Sequence, residues 1–583
     1  MSSLEAKRHT LAHLLAAAVK EKYPHAKPTI GPAIDTGFYY DFDFSGGAKP
    51  NEEDLAALAE SMRSHLLSWA TMQGARVSAD EARTKFEGNP FKLELIDEIS
   101  EKGEDITLYT AGDFTDLCRG GHAEKPSAEI DPDSFELDRV AGAYWRGDEK
   151  NPMLTRIYGL AFETKDELDA YLTQREEAKK RDHRKIGQDL DLFVISDLVG
   201  AGLPLFTPKG TLLRDTIADF LWTLNKKYGY GKVDIPHLAK PDLYKVSGHW
   251  DKYKDDGFQV HGRDKHFMLK PMNCPHHTQI YASRGRSYRD LPIRYFDVTK
   301  VYRDEQSGEL MGLSRVLSIT QDDGHVFCRP DQIATEVANI VSIIKDFYTA
   351  VGMLKENSYS ARLSVRDPNT PEKYLGDVAV WDMAEQRLEE IGHAHGLQLT
   401  RGEGEAAFYG PKLDFMFKDA IGREWQLATI QLDFVQPERF NLDYTDETGN
   451  KVRPVMIHRA ISGSLERFLS VMIEHYAGAF PLWLSPVQAR VVPVSEKHAA
   501  YAKEVVAALE AAHIRADSDE ANESLGKKIR HAKTEKIPYL LVVGDAEIAA
   551  KTVSVDSRDN GKLDPMSVAD FIKRATEEIT TRK

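Results

Sequence analysis

Three groups of side chains stand out by residue type and spacing. Near the amino terminus His9 and His13 (HTLAH) sit one helical turn apart, and Cys118 with His122 (DLCRGGH) repeats that spacing. An HxxxH beside a CxxxH offers nitrogen and sulfur donors, so composition alone reads the set first as a zinc site. The second group lies in residues 301–328, VYRDEQSGELMGLSRVLSITQDDGHVFC. This stretch predicts a strand with Arg303 and Glu305 on one face, a polar loop, and a return strand bearing Arg315. An arginine and a glutamate side by side can grip an α-phosphate and an adenine amino group together, because the planar guanidinium matches phosphate oxygens. Taken alone, the pair is more simply a solvent-side ion pair. The third group is two basic runs, residues 175–185 (REEAKKRDHRK) and 527–536 (KKIRHAKTEK). Each reads plainly as a solvated helix face and would also suit phosphate.

A chain of 583 residues is too long for one ordinary core, so three or more domains are expected around these groups. Hydrophobic content of 42% with 29% charged residues reads as soluble and globular, and no apolar run is long enough to span a bilayer. Residues 1–20 lack the apolar core and cleavage site of a signal peptide. The three cysteines, Cys118, Cys274 and Cys328, are too few for a disulfide framework and point to a reducing compartment, the cytoplasm. The net charge of −16 does not favour nucleic acid, yet phosphate binding depends on local patches rather than on the total.

The elements that must position these groups can be read from periodicity. Leu4, Leu11, Leu14, Leu15 and Val19 predict a helix over 4–22, ended by Pro24 and Pro28. Residues 34–44 are β-rich, 51–70 are helical with Asn51 as N-cap, and 106–122 read as a strand followed by a polar loop. Together residues 1–160 form an α+β domain, and a charged helix over about 165–185 connects it onward. An amphipathic helix is expected at 211–227, then a strand ending at Pro236. Strands at 293–301, 315–320, 413–417 and 424–434, mostly joined by turns, predict a large antiparallel sheet. Beyond Pro481 and Pro486 the pattern alternates: strand 489–494, helices 497–512 and 523–535, strand 539–543 and helix 565–578, a small α/β domain.

The 301–328 stretch resembles motif 2 of class II aminoacyl-tRNA synthetases, in the form found in threonyl-tRNA synthetases. Gly463-Ser464-Leu465-Glu466-Arg467 resembles motif 3, and helix 211–227 with the strand ending at Pro236 resembles motif 1. The similarity runs through almost the whole chain. It implies a multidomain α+β and α/β protein: an editing domain (1–160), a linker helix (161–188), a class II antiparallel catalytic domain (189–484) and an α/β anticodon-binding domain (485–583). It also implies a homodimer built on motif 1, with tRNA(Thr), threonine and Mg-ATP as substrates, one zinc ion per subunit, and no membrane.

Site residues carry over one by one. Cys274 (LKPMNCP), His325 (TQDDGH) and His458 (VMIHRA) match the family's zinc ligands, which spacing alone does not reveal among 20 histidines. They nevertheless make a sensible zinc set with coordination left open. Asp323, Gln321, Tyr409 and Gln431 match the threonine pocket. Arg303, Glu305, Arg315, Gln426, Thr429 and Arg467 match the ATP site, with Arg467 at the γ-phosphate. His249 (SGHW) matches a histidine near the tRNA 2′-hydroxyl that assists transfer. In the N-terminal domain the resemblance reads His9, His13, Tyr40, Lys92 (FKLEL), Asp116, Cys118 and His122 as a metal-independent hydrolase of seryl-tRNA, against the zinc reading of the residues alone. A lysine buried near histidines would orient or activate water. Asn522, Arg530 and Glu547 match anticodon contacts, which makes the 527–536 run phosphate-facing.

The chain departs from the family pattern in five places. It begins at the editing domain, without the small ubiquitin-like domain that often precedes it. Gly121 replaces a proline, His276 a smaller or apolar residue, and Leu317-Ser318-Ile319 a stretch that often contains arginine and glycine. Asp556 stands where an arginine often holds the anticodon. Another class II enzyme, prolyl or seryl, is disfavoured by the joint presence of the Cys274/His325/His458 set and the editing residues. A non-catalytic tRNA-binding protein on the same scaffold is disfavoured by Arg303, Glu305, Arg315 and Arg467, which it would not need.

Overall fold

The computed structural model describes residues 3–254, 256–355 and 359–582. The chain divides into two compact units, Met1–Glu177 and Ala178–Lys583.

In the first unit the helix Ser3–Lys22 is buried on every side from Thr10 to Val19, as its run of alanines and leucines allows. It packs on the helix Leu55–Ser68 and the strand Gly37–Asp43. Asn51 caps a single 3-10 turn, Glu52–Asp54, ahead of that helix, and the helix stops at Ser68. Gly37–Asp43, Met153–Ala161 and Phe135–Tyr144 pair antiparallel in one sheet. Residues 106–122 are not one strand and a loop. Ile106–Ala111 and Phe114–Leu117 form a hairpin beside Gln73–Val77, and the loop begins at Cys118. The charged helix ends at Lys180 rather than 185, and Arg175 is paired with Asp138.

In the second unit Asp182 accepts a hydrogen bond from the Arg184 amide and starts a separate helix, His183–Asp189. The amphipathic helix begins at Pro208, not 211. Thr207 caps it and proline occupies its first turn. Eight strands form the central sheet, in the order Gly231–Lys232, Ile293–Tyr302, Ser318–Cys328, Val455–Ser464, Glu424–Asp433, Lys412–Lys418, Tyr359–Val365 and Leu399–Glu403. All neighbours are antiparallel except the pairs at the two ends. Two predicted strand limits fail here. Arg303 and Glu305 lie beyond the end of Ile293–Tyr302, and the return strand begins at Ser318, so Arg315 belongs to the loop. The Arg303 amide still donates to Leu317 O at 3.0 Å, which prolongs the pairing past the strand.

A buried ion pair joins three parts of this sheet region. Arg459 Nη1 donates to Asp322 Oδ1 at 2.8 Å and Nη2 to Asn225 Oδ1 at 2.6 Å. Asp322 Oδ2 also accepts from the Ile461 and Ser462 amides at 2.8 and 2.9 Å. These bonds to both charged groups make the buried pair tolerable, although Arg459 Nε itself finds no partner. Losing one partner would strand a buried charge, at about 3–5 kcal/mol. Gly324 is required by this arrangement, since a Cβ there would sit 2.5 Å from the Arg459 guanidinium.

The C-terminal part of the unit has Ala489–Pro493 between Ala516–Ser518 and Tyr539–Val543, all parallel, with Thr552–Ser557 added antiparallel. Its main helices are Ala499–Ala511, Leu525–Thr534 and Val568–Thr581.

Candidate functional site

A cleft of about 540 Å³ opens on the central sheet. It is lined by Arg303, Glu305, Arg315, Gln321, Asp323, His325, Tyr409, Gln426, Thr429, Gln431, His458 and Arg467. At one end are the arginines. Arg315 grips Glu305 Oε2 through Nε and Nη2 at 2.8 and 2.6 Å and also pairs with Glu309 at 3.0 Å. Arg303 stacks over Tyr253, with its Nη2 against Met272 Sδ, and its buried Nε has no protein partner. Arg467 rides in the first turn of the helix Leu465–Tyr476. Ser464 Oγ accepts its amide at 3.2 Å, and its Nε donates to Ser314 O at 3.3 Å. Two adjoining segments thus aim guanidinium groups into one space.

Asp414 organises the neighbouring wall. This fully buried carboxylate accepts from Ser364 Oγ (2.7 Å), Lys412 Nζ (2.7 Å), Gln426 Nε2 (2.8 Å) and Thr429 Oγ1 (2.8 Å). Arg362 reaches the same cluster through Gln426 Oε1 at 3.2 Å. Lys412 lines the cleft and Asp414 fixes it, and neither was expected from the sequence. Asp414 does stand on the Lys412–Lys418 strand directly opposite Thr429, and alternation along that predicted strand was the available signal.

At the other end Cys274, His325 and His458 are buried, and their donor atoms lie within 4.8 Å of one another. Cys274 opens the helix Cys274–Ala282, while His325 and His458 are register partners on adjacent strands. His458 Nε2 lies 2.8 Å from Asp433 Oδ2, and a carboxylate can only accept there. Nε2 therefore carries a proton, and Nδ1 faces His325 Nε2, 2.9 Å away. Burial holds the His325 imidazole well below its usual range, with His458 and Arg459 adding to the effect. Burial also pushes the Cys274 thiol up, helped by the Asp323 carboxylate. Two imidazole nitrogens and a sulfur, with coordination left open toward the cleft, fit zinc, whose binding would offset the deprotonation of the thiol.

Asp323 borders this donor set and accepts from Asn273 Nδ2 at 3.0 Å. Gln431 donates to Gly410 O, Tyr409 packs on His458, and the buried Gln321 Oε1 and Asn273 Oδ1 have no protein partner. His249 does not line the cleft. It is fully buried behind it, with Nδ1 2.8 Å from Ser247 Oγ and Nε2 3.6 Å from Cys274 Sγ. Burial, with His458, Arg303 and Arg439, holds it down to about 3, so the ring is neutral.

In the first unit a pocket of about 370 Å³ is lined by His9, His13, Tyr40, Lys92, Asp116 and Cys118. Cys118 Sγ lies 3.4 Å from both His9 Nε2 and His122 Nε2. Asp116 is the hub on the other side. It receives Lys92 Nζ at 2.5 Å, Tyr40 Oη at 2.5 Å and His13 Nδ1 at 3.2 Å. Lys92 is therefore committed to an ion pair and to Tyr40 (3.2 Å) rather than standing alone among histidines. Burial opposes charge at His13, but bonds to Asp116 and Cys118 outweigh it and raise the ring to about 9. Burial likewise opposes the Cys118 thiolate, yet His122, His13 and His9 bring the thiol down to about 3. The Cys118–His122 loop passes through Gly121 at φ +86°, a conformation closed to the proline of the family pattern, so this loop follows its own path.

The expected anticodon residues differ in their freedom. Asn522 and Arg530 are exposed. Glu547 instead caps its own helix, accepting from the Gly544 amide at 2.9 Å and from Ser554 Oγ at 2.7 Å. The 527–536 run is not uniformly phosphate-facing. Lys528 is buried and donates to Asp519 O, Lys527 pairs with Glu523, and Lys533 pairs with Asp556 at 3.0 Å. Among the described residues no helix is long and apolar enough to cross a membrane.

Comparison with known proteins accords with this geometry. Residues 258–476 match the tRNA synthetase class II core domain (G, H, P, S and T), and residues 488–578 match the anticodon binding domain. The chain is 49% identical to a threonine–tRNA ligase of Gloeobacter violaceus, over 99% of this chain and 92% of the relative. It is 48% identical to that of Thermus thermophilus, over 99% and 89%. A crystal structure described as the RNA binding domain of threonyl-tRNA synthetase from Cryptosporidium parvum Iowa II superposes with a TM-score of 0.65. That match is 36% identical and covers 68% of this chain and 98% of the other.

Proposed function

The chain belongs to the threonine–tRNA ligase family, and from that premise we propose that it joins threonine to ATP as an adenylate, passes the threonyl group to the 3′ end of tRNA(Thr), and hydrolyses seryl-tRNA(Thr) in its N-terminal domain. The observation that carries this reading is the convergence in one cleft of the arginines with His325 and His458, whose ring nitrogens lie within 4.8 Å of the buried Cys274 sulfur. Arg303, Arg315 and Arg467 hold the ATP phosphates and stabilise the charge that builds as pyrophosphate leaves. Glu305 serves the adenine amino group, and Gln426 and Thr429, fixed by Asp414, complete the nucleotide wall. A zinc ion held by Cys274, His325 and His458 would supply a Lewis acid for the amine and side-chain hydroxyl of threonine. Asp323 accepts hydrogen bonds from those same two groups, beside Gln321, Tyr409 and Gln431. His249, which the family pattern places near the tRNA 2′-hydroxyl, is buried behind the cleft and bears on the transfer step through Cys274 and Ser247 rather than by touching the tRNA.

An apolar pocket separates isosteres such as threonine and valine only by about a hundredfold. A site demanding both an amine and a hydroxyl rejects valine by leaving its own polar groups unpaired. Serine satisfies both demands, and the missing methyl costs only about 1–3 kcal/mol. ATP–pyrophosphate exchange with a panel of amino acids tests the reading. Threonine should support it strongly, serine weakly and valine not at all, and equal exchange with valine would overturn it.

Serine misactivation is why a second pocket is needed. The Lys92–Asp116–Tyr40 group beside Cys118 supports hydrolysis, because a purely structural metal site has no use for a fixed ammonium and an open cavity. His9→Ala or Lys92→Ala should keep threonine charging and accumulate seryl-tRNA(Thr), while chelators should leave hydrolysis of preformed seryl-tRNA unaffected. Wild-type protein that spares seryl-tRNA, or hydrolysis that stops on chelation and returns with zinc, would refute this. Asn522 and Arg530 belong to anticodon reading, with Glu547 acting through the shape of its helix. The helix Pro208–Lys227 supports a twofold homodimer. A fully active monomer in sedimentation at micromolar concentration would contradict that assembly. The free cysteines suit the cytoplasm.

A further inference from the structure

We propose that His183 is a positioning residue for the ATP reaction, a bolt that holds the loop bearing Arg315 against the helix bearing Arg467. The inference rests on the assignment of those arginines to the ATP phosphates. His183 opens the helix after the charged connector and is only 2% exposed. Its Nε2 faces the Leu313 amide at 3.0 Å, and an amide can only donate. Nε2 is therefore the bare nitrogen, and Nδ1 carries the proton that it gives to Glu474 Oε1 at 2.7 Å. Glu474 also accepts the His183 amide at 3.1 Å. One imidazole, in one tautomer, thus joins the loop backbone to the helix Leu465–Tyr476.

What is joined matters for chemistry. Leu313 is followed by Ser314 and Arg315. Ser314 O accepts from Arg467 Nε, and its Oγ lies 2.9 Å from Ser470 Oγ on the same helix. Arg467 and Glu474 stand about two turns apart on that helix, so His183 fixes its far end while Ser314 fixes the near end. The loop presses as close as a backbone can, since a Cβ on Gly312 would lie 2.3 Å from His183 Nε2. Arg181 Nη1 adds bonds to Glu474 O (3.3 Å) and His475 O (3.0 Å) at the helix C-terminus. Asp182, His183 and Glu474 are also close enough to hold a cation, but both ring nitrogens are spent on protein partners. A displacement of about 1 Å between groups that share a transition state costs about a hundredfold in rate. Loosening this bolt should therefore tell on ATP and not on threonine, whose donors lie outside that loop and helix, at the start of Cys274–Ala282 and on the strands Ser318–Cys328 and Val455–Ser464.

The test compares His183→Leu, which fills the space without hydrogen bonds, with His183→Gln, whose amide keeps one acceptor and one donor. Constants are taken per titrated active site. His183→Leu is expected to lower kcat/KM for ATP in pyrophosphate exchange by tenfold or more, with KM for threonine within twofold of wild type, and His183→Gln should recover most of the loss. Unchanged kcat/KM for ATP in the leucine variant would overturn the proposal. So would an equal fall for both substrates, or a loss only of titratable sites, since those mark a merely structural role. Should His183→Leu fail to fold, Glu474→Asp withdraws the acceptor from Nδ1 and must show the same ATP-selective fall, and its absence would equally overturn the idea. Failure of the underlying assignment is separable, because Arg467→Ala would then leave exchange intact.

Discussion

Cys274→Ala is expected to yield protein without bound zinc and with threonine-dependent pyrophosphate exchange reduced by roughly a thousandfold or more, the several kcal/mol a Lewis acid contributes. The structure explains why so small a change should have so large an effect. Cys274, His325 and His458 bring one sulfur and two nitrogens together at the end of the cleft. Removing the sulfur leaves only two imidazoles of the three donors, one of them also bonded to Asp433. Alanine at the start of a helix should leave the fold intact. The defect should therefore appear as lost metal by elemental analysis, with ATP binding retained. His325→Ala should behave alike. Normal threonine activation by metal-free protein would end the assignment.

Arg467→Ala should leave a well-folded protein whose adenylate formation falls by about a hundred- to a thousandfold, as when one preorganised donor to a charged transition state is removed. The helix cap survives the substitution because Ser464 binds the backbone amide of residue 467, not its side chain. Arg303→Ala should fall as far, since Arg303 lines the same cleft. Both losses should appear in kcat of the exchange reaction with near-normal thermal unfolding. An Arg467→Ala protein with near-wild-type exchange would remove it from the phosphate site.

Much of the molecule could be read from its residues because the signals were local. The first helix and the Tyr539–Val543 strand follow from spacing and residue type alone. The zinc-type set could not be read this way. His325 and His458 meet because two strands distant in sequence are neighbours in register, and pairing of that kind leaves no trace in spacing. The helpers were missed for the same reason. Asp433, Asp414, Asn273 and His183 matter through partners that only the fold brings near. Arg303 and Glu305 were placed on a strand because alternation looks the same in a strand and in the extended segment that leaves it. The basic run at 527–536 misled through composition, which counts lysines without showing that Lys528 points inward.

Asp414 carries a consequence for how this sequence can change. Ser364, Lys412, Gln426 and Thr429 all end on its two oxygens, so their contributions are not separate. Replacing one donor leaves the carboxylate less satisfied and alters what a second replacement costs. This wall of the cleft is therefore an epistatic block. Changing Gln426 or Thr429 alone leaves an oxygen of Asp414 unsatisfied, and exchanging Asp414 with its lysine balances charge but strands the donors of Ser364, Gln426 and Thr429. Order of mutation, rather than the identity of any one residue, decides which variants of this wall can be reached.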